Sequence, residues 1–219
     1  VQLITTKRDM KKNEYYTLLL FGLPPLIGGL FQTMFYGVSL VWVCMSISLL
    51  IIFINIQNNQ LYTDYLTGLN NRRQLDYYLT ECMENNYRGS LLAGIMIDIN
   101  SFKEINDLYG HTMGDQALEN TGIILRKSFR KDDFIARYGG DEFFVILAVN
   151  EKADLLKAVE RLRKNTELFN DRRITPYSIN LSIGYDIYDY NSKVTAQQFI
   201  KHIDCLMYED KKKNVSIIT

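Results

Sequence analysis

The sequence predicts an α+β fold: one mainly antiparallel central sheet covered by helices, preceded by two transmembrane helices. Three observations predict it. No charged residue occurs between Glu14 and Asp64, and apolar side chains dominate that stretch, which is how membrane spans read. Further on, Phe134-Ile135-Ala136 and Phe143-Phe144-Val145-Ile146-Leu147 flank Gly139-Gly140. Two short runs rich in β-branched and aromatic residues, joined by glycines, have the pattern of a β-hairpin. Finally, the periodic segments follow in the order strand, helices, hairpin, helix, strand, helix, strand, which suits an antiparallel sheet with helices packed over it.

A chain of 219 residues holds one domain of ordinary size and something more. Its formal net charge is zero, so no bulk attraction draws it to a polyanion and no nucleic-acid partner is expected. Cys44, Cys82 and Cys205 are scattered, without metal spacing or obvious pairing, which fits a reducing compartment. The chain begins at Val1 rather than Met, and the expectation is a fragment whose upstream part is a larger sensor region.

Residues 1–14 carry Lys7, Arg8, Lys11 and Lys12, a positive cluster expected on the cytoplasmic side. Residues 15–56 read as a two-helix membrane hairpin. Its spans, roughly Leu18–Tyr36 and Val38–Ile56, are each long enough for a hydrocarbon core of ~30 Å at about 1.5 Å per residue. Gly22, Pro24, Pro25, Gly28 and Gly29 lie in the first span, where membrane helices tolerate kinks. A cleavable signal peptide does not fit two segments with no small-residue cleavage site after the second. The short uncharged link Gln32–Gly37 suits the outer face, so two crossings return the chain to the cytoplasm. The expected location is therefore the inner (cytoplasmic) membrane, with residues 64–219 on its cytoplasmic side. Residues 57–63 contain no Pro or Gly. Ile47, Leu50/Ile51, Ile54, Asn58, Leu61 and Tyr65 recur at three- and four-residue steps, which carries a helical linker into the next domain.

Residues 64–219 form that domain. Asp64-Tyr65-Leu66-Thr67-Gly68-Leu69-Asn70-Asn71 is a turn and cap before a helix over about 71–86. Leu91–Asp98 is a continuous apolar run ending in an acid, the pattern of a central buried strand. Ser101–Leu108 and Gly114–Phe129 read as helices, then comes the hairpin, then a helix over Lys152–Phe169. Tyr177–Tyr188 alternates like a strand, Thr195–Lys211 reads as a helix and Val215–Ile218 as a last short strand. In the hairpin, Gly139 and Gly140 admit positive φ and close approach of another molecule. Asp141 and Glu142 follow directly, and as strand neighbours they point to opposite faces and take different tasks.

Arg137-Tyr138-Gly139-Gly140-Asp141-Glu142-Phe143 resembles the signature of the GGDEF family of diguanylate cyclases. Asp98-Ile99-Asn100-Ser101-Phe102-Lys103, continuing through Asn106-Asp107 and Gly110-His111 to Gly114-Asp115, is similar to that family's second signature. Asp64-Tyr65-Leu66-Thr67-Gly68-Leu69-Asn70-Asn71-Arg72-Arg73 is similar to its opening motif. The three stand in the right order over about residues 62–219. The resemblance implies a ferredoxin-like, palm-like domain that joins two GTP into cyclic di-GMP and releases pyrophosphate. It implies a homodimer, because each protomer presents one GTP, and a Mg²⁺ or Mn²⁺ cofactor.

By the same resemblance Asp98, Asp141 and the backbone carbonyl of Ile99 are the metal ligands, and Glu142 assists metal binding or hydroxyl deprotonation. Gly139 and Gly140 border the triphosphate, and Phe102 walls the nucleotide pocket or packs in the core. Asn106 and Asp115 bind guanine, whose N1–H and N2–H₂ suit a carboxylate. Lys103 and Lys211 contact phosphates. Arg130 and Asp133 match an inhibitory product site, in which an arginine binds guanine O6/N7. His111 and His202 read as structural.

Two departures stand out. The family often ends its last helix with Ala-Lys-x-x-Gly-Arg-Asn, whereas this chain has Asp210-Lys211-Lys212-Lys213-Asn214; the resemblance therefore leaves one phosphate contact without its Gly-Arg, and whether Lys212 or Lys213 replaces it stays open. Asn100 stands where the family often has Asp, away from the metal positions. The alternative function is a non-catalytic receptor for GTP or cyclic di-GMP, against which the intact Asp98, Asp141 and Glu142 argue.

Overall fold

The computed structural model describes residues 22–35, 40–84, 90–192 and 194–216. The chain divides into two compact units, Val1–Leu61 and Tyr62–Thr219.

In the first unit, helix α1 covers residues 22–34 and α2 covers Val41–Tyr62. Gly28 brings α1 close to α2: a Cβ there would meet Cys44 Sγ at 2.7 Å. The expectation of two membrane spans, and with it the inner-membrane location, is overturned. Among the described residues no helix is long and apolar enough to cross a membrane. The physical reason is the length of apolar helix that the described residues offer. The thirteen described helical residues of α1 span about 20 Å at ~1.5 Å per residue, short of a ~30 Å hydrocarbon core; residues 18–21 and 36 of the expected first span lie outside the described residues. In α2 the stretch before the polar run Gln57-Asn58-Asn59-Gln60 covers residues 41–56, about 24 Å at the same rise. The basic cluster expected before the first span lies outside the described residues.

The second unit is a five-stranded mixed sheet in the order β1-β3-β4-β2-β5. In sequence it runs β1 (Asn70–Asn71), α3 (Arg72–Glu84), β2 (Leu91–Ile99), α4 (Phe102–Tyr109), α5 (His111–Ser128), β3 (Phe134–Gly139), β4 (Glu142–Val149), α6 (Lys152–Asn170), β5 (Leu181–Ile187) and α7 (Ala196–Ser216). The pairs β3–β4, β4–β2 and β2–β5 are antiparallel and β1–β3 is parallel, so the sheet is mainly antiparallel as expected. Alternation along β2 sends Ala93, Ile95, Ile97 and Ile99 to one face, where they pack with Leu118 and Leu125 of α5 and Leu155 and Leu162 of α6. Leu92 and Met96 go to the other, against Leu75 and Leu79 of α3 and Phe199, Ile203 and Met207 of α7. Covered on both faces, β2 needs the unbroken apolar run seen in the sequence.

Three details differ from expectation. β1 was not anticipated: two asparagines are poor strand formers, and a parallel bridge to Ala136 and Arg137 plus an Asn70 Nδ2 bond to the Ile135 carbonyl at 2.9 Å recruit them. The strand expected over Tyr177–Tyr188 is only Leu181–Ile187, because the Asn170 side chain takes both backbone groups of Ile179 at 2.8 and 2.9 Å. Of the strand expected over Val215–Ile218, Val215 and Ser216 belong to α7, and residues 217–218 lie outside the described residues. The family's stopping glycine is missing there, and lysines propagate a helix well.

Candidate active site

The hairpin turn is Gly140-Asp141, between β3 and β4, with Gly140 at φ +50°. That left-handed value favours glycine. Gly139 has a different character: nothing lies within 4 Å of where its Cβ would be. No internal contact demands a glycine there, which leaves open space above the backbone.

Arg137 clamps this turn. Its Nε and Nη2 donate to the Gly140 carbonyl at 2.9 and 2.7 Å, and its Nη1 pairs with the Asp64 carboxylate at 3.1 Å. Asp64 in turn accepts from the Thr67 backbone N–H and hydroxyl. Burial pushes the Asp64 carboxyl up, but the Thr67 hydrogen bonds and the Arg137 charge outweigh it and hold it below the ordinary range. Arg137→Ala is expected to cost about 2–3 kcal/mol, the worth of charge-assisted hydrogen bonds in a partly buried setting. An unchanged denaturation midpoint for that variant would contradict the clamp.

The hairpin's acids meet the end of β2. Ile99 donates its N–H to the Asp141 carbonyl at 3.3 Å. Asp98 sits directly opposite Glu142 on β4 and opposite Ser182 on β5, so Asp98 and Glu142 share the face covered by α3 and α7. Lys211 of α7 donates to Asp98 Oδ1 at 2.6 Å. Asp98 is only 5 % exposed. Burial pushes its carboxyl above the ordinary range; the Lys211 contact pulls against this, and the Asp141 and Asp204 charges push with it. Glu142 is raised too, by burial first and then by Asp204, Asp98 and Asp141. The site therefore concentrates negative charge, with the Lys211 ammonium answering it at Asp98.

That arrangement fits a hard divalent cation by its chemistry: oxygen donors and unrelieved carboxylate repulsion are what such an ion answers. Among the described residues no three His, Cys, Asp or Glu side chains converge into a complete cage. Mg²⁺ does not need one, since it takes one or two carboxylates and completes its shell with water and substrate phosphates. Beside Glu142 opens a cavity of about 430 Å³ lined by Arg72, Tyr138, Lys201 and Asp204 among others. The Arg72 guanidinium lies over the Tyr138 ring at 4.4 Å.

The other expected residues lie elsewhere. Phe102 is half-buried and packs against the core on the α5/α6 face. Lys103 and Asp115 are exposed. Asn106 donates to the Phe102 carbonyl at 3.3 Å, and Gly114 leaves room for it, since a Cβ there would collide with the Asn106 amide. Arg130 and Asp133 lie before β3, away from the turn. The Arg130 N–H donates to Asp133 Oδ2 at 2.7 Å. With Lys157 and Arg161 they line a cavity of about 110 Å³. Burial raises the Asp133 carboxyl against the pull of Arg130 and Arg161. Lys212 is exposed, its ammonium over the Tyr208 ring at 4.5 Å. His202 pairs with Asp186 at 2.8 Å, and His111 is exposed at the start of α5.

Three residues were not foreseen in the site: Asp64 and Arg137 as the clamp, and Asp204. Asp204 stands seven positions before Lys211, two helical turns, so the helix period alone puts it on the same face.

A sequence model described as diguanylate cyclase, GGDEF domain, matches residues 61–216. The chain belongs to the GGDEF family. Diguanylate cyclase A of Treponema denticola is 33 % identical to this GGDEF chain over 181 residues, 76 % of the chain and 47 % of that protein. The chain thus spans about half the length of this curated relative. The solved GGDEF domain of TpbB (YfiN) from Pseudomonas aeruginosa is 31 % identical, with a TM-score of 0.62 over 69 % of this chain and 90 % of that one. The coiled coil and GGDEF domain of DgcB from Caulobacter crescentus, solved in complex with c-di-GMP, has a TM-score of 0.66 over 77 % of this chain and 90 % of that one. At 24 % identity, that last likeness is one of fold.

Proposed function

We propose that this GGDEF chain is a diguanylate cyclase, which condenses two GTP into cyclic di-GMP. The observation that carries the reading is the meeting of Asp98, Asp141 and Glu142 at one end of the sheet, tied by the Ile99–Asp141 backbone bond and answered by Lys211. Each 3′-hydroxyl attacks the α-phosphate of the other GTP; one P–O bond forms, the bond to the β-phosphate oxygen breaks, and pyrophosphate leaves. Two such steps close the ring, so two protomers, each presenting one GTP, face each other. Asp98, Asp141 and the Ile99 carbonyl are the residues that would hold Mg²⁺ or Mn²⁺, which when bound neutralises phosphate charge and acidifies the hydroxyl. Glu142 borders the open cavity, where its raised carboxyl suits it to accept the hydroxyl proton. Gly139 and Gly140 leave room for the triphosphate, Lys103 and Lys211 supply positive charge to it, and Asn106, Asp115 and Phe102 receive guanine.

The test is the product formed by the purified chain from GTP and Mg²⁺, separated by chromatography. Cyclic di-GMP and pyrophosphate, at a rate rising with the square of protein concentration while dimers are scarce, are expected. GTP binding without pyrophosphate release would support a receptor instead.

Arg130, Asp133, Lys157 and Arg161 around one small cavity support a product-binding site. Arg130→Ala is expected to raise the cyclic di-GMP concentration for half inhibition at least about tenfold, the loss of one bidentate guanine contact, with the uninhibited rate unchanged. Equal inhibition in variant and parent would remove that role.

A further inference from the structure

We propose that Asp210 is a positioning residue that holds Lys211 on Asp98 by tying α7 to the edge of the sheet; the proposal rests on the cyclase reading. β5 is an edge strand, and backbone N–H groups facing away from a sheet's edge need a partner outside it. The Ile183 N–H donates to Asp210 Oδ2 at 2.9 Å. The same carboxylate accepts from Arg163 Nη2 of α6 at 3.2 Å. One residue later, Lys211 reaches Asp98 Oδ1 at 2.6 Å. A single carboxylate thus joins α6, β5 and the last turns of α7 immediately beside the ammonium that answers the acid cluster.

The local sequence shows why such a tie is needed. Asp210 stands where the family often has Ala, and Asn214-Val215 where it often has Gly-Arg, so α7 runs on as a plain lysine-rich helix. Lysine is a point charge on a flexible four-carbon stem; where its ammonium rests depends on where its Cα is held. Asp210 is 24 % exposed, while its neighbours Lys212 and Lys213 are exposed. Charge-assisted hydrogen bonds such as those Asp210 accepts are about twice as strong as neutral ones. Gly184, next to Ile183, lets α7 lie against β5 here: a Cβ on it would strike the Ile203 carbonyl and the Met207 backbone.

The experiment measures KM and kcat for GTP with Mg²⁺ in the full chain and in Asp210→Ala, Asp210→Asn, Lys211→Ala and the Asp210→Ala/Lys211→Ala double variant. Asp210→Ala is expected to raise KM about tenfold with kcat within about twofold, the pattern of lost substrate binding and not of lost folded enzyme. Asp210→Asn keeps an oxygen for the Ile183 N–H and restores KM to within about twofold of the parent, because a half-exposed ion pair with Arg163 adds little. The double variant is expected to match Lys211→Ala alone, since Asp210 acts through Lys211. An unchanged KM in Asp210→Ala, or effects that multiply in the double variant, overturns the proposal. A parent chain that makes no cyclic di-GMP sinks the cyclase reading instead. The anchor is then decided by hydrogen exchange at the Ile183 amide: at least about tenfold faster exchange in Asp210→Ala than in the parent and Asp210→Asn is expected, and equal protection overturns it.

Discussion

An Asp98→Asn protein is expected to lose at least about a thousandfold in cyclic di-GMP formation, roughly 4 kcal/mol of transition-state stabilisation, and yet to melt at or above the temperature of the parent chain. The two halves of that result have one cause. Asp98 is buried at the end of β2, beside Asp141 and Asp204, and its carboxyl is pushed above the ordinary range chiefly by burial. The folded state therefore binds this proton more tightly than the unfolded chain does. Stability linked to Asp98 is fully present below the unfolded value, near 3.8, and is lost as pH rises through the raised folded value. An asparagine carries no charge to desolvate, so the variant's relative stability should grow from pH 4 to pH 7 by that linkage. Lys211 loses its partner but, at 35 % side-chain exposure, turns to water. Activity falls because the carboxylate that would hold a divalent cation is gone. Mg²⁺ is accordingly expected to raise the melting temperature of the parent, as any ligand of the folded state does, and to leave the variant unmoved. Thermal melts with and without Mg²⁺, beside a product assay, read all of this. A melting temperature lower by more than about 3 °C, roughly 1 kcal/mol for a domain this size, would make Asp98 a structural residue and refute the account.

Much of this site was legible in the chain, and the rest was hidden for physical reasons. β2 and the hairpin announced themselves because a strand covered on both faces needs an apolar run and a tight turn needs glycine. The run ending at Asp98 and the Gly140-Asp141 turn followed from that. Asp64 and Arg137 each stood in a visible motif, but their pairing depends on β1 lying parallel to β3, and a strand of two asparagines has no periodicity to detect. The ends of strands and helices failed where side chains overrode the backbone pattern, as Asn170 does at Ile179. The N-terminal stretch misled for another reason: an absence of charge measures hydrophobicity and says nothing of where a helix starts and stops; among the described residues α1 runs over 22–34.

Gly184→Ala is expected to be the most damaging single-methyl substitution in the domain, costing about 3 kcal/mol, at the upper end of overpacking penalties. Most such additions are absorbed by a neighbouring side chain that changes rotamer. Here the atoms in the way are the Ile203 carbonyl and the Met207 backbone, which have no rotamer to change, so α7 must lift from β5. Lifting it loosens Phe199, Ile200, Ile203 and Met207, all buried beneath it. It also carries Asp204 and Lys211 away from Asp98, so activity should fall further than the loss of folded protein explains. Gly139→Ala is the matched control. Nothing lies within 4 Å of its Cβ position, and the same added methyl should leave the denaturation midpoint within about 0.5 kcal/mol of the parent, as at an open surface position. Urea titrations of the two variants separate the cases. Equal stability for both would mean that α7 does not rest on the β5 backbone, and the seat of Lys211 would then have to be sought elsewhere.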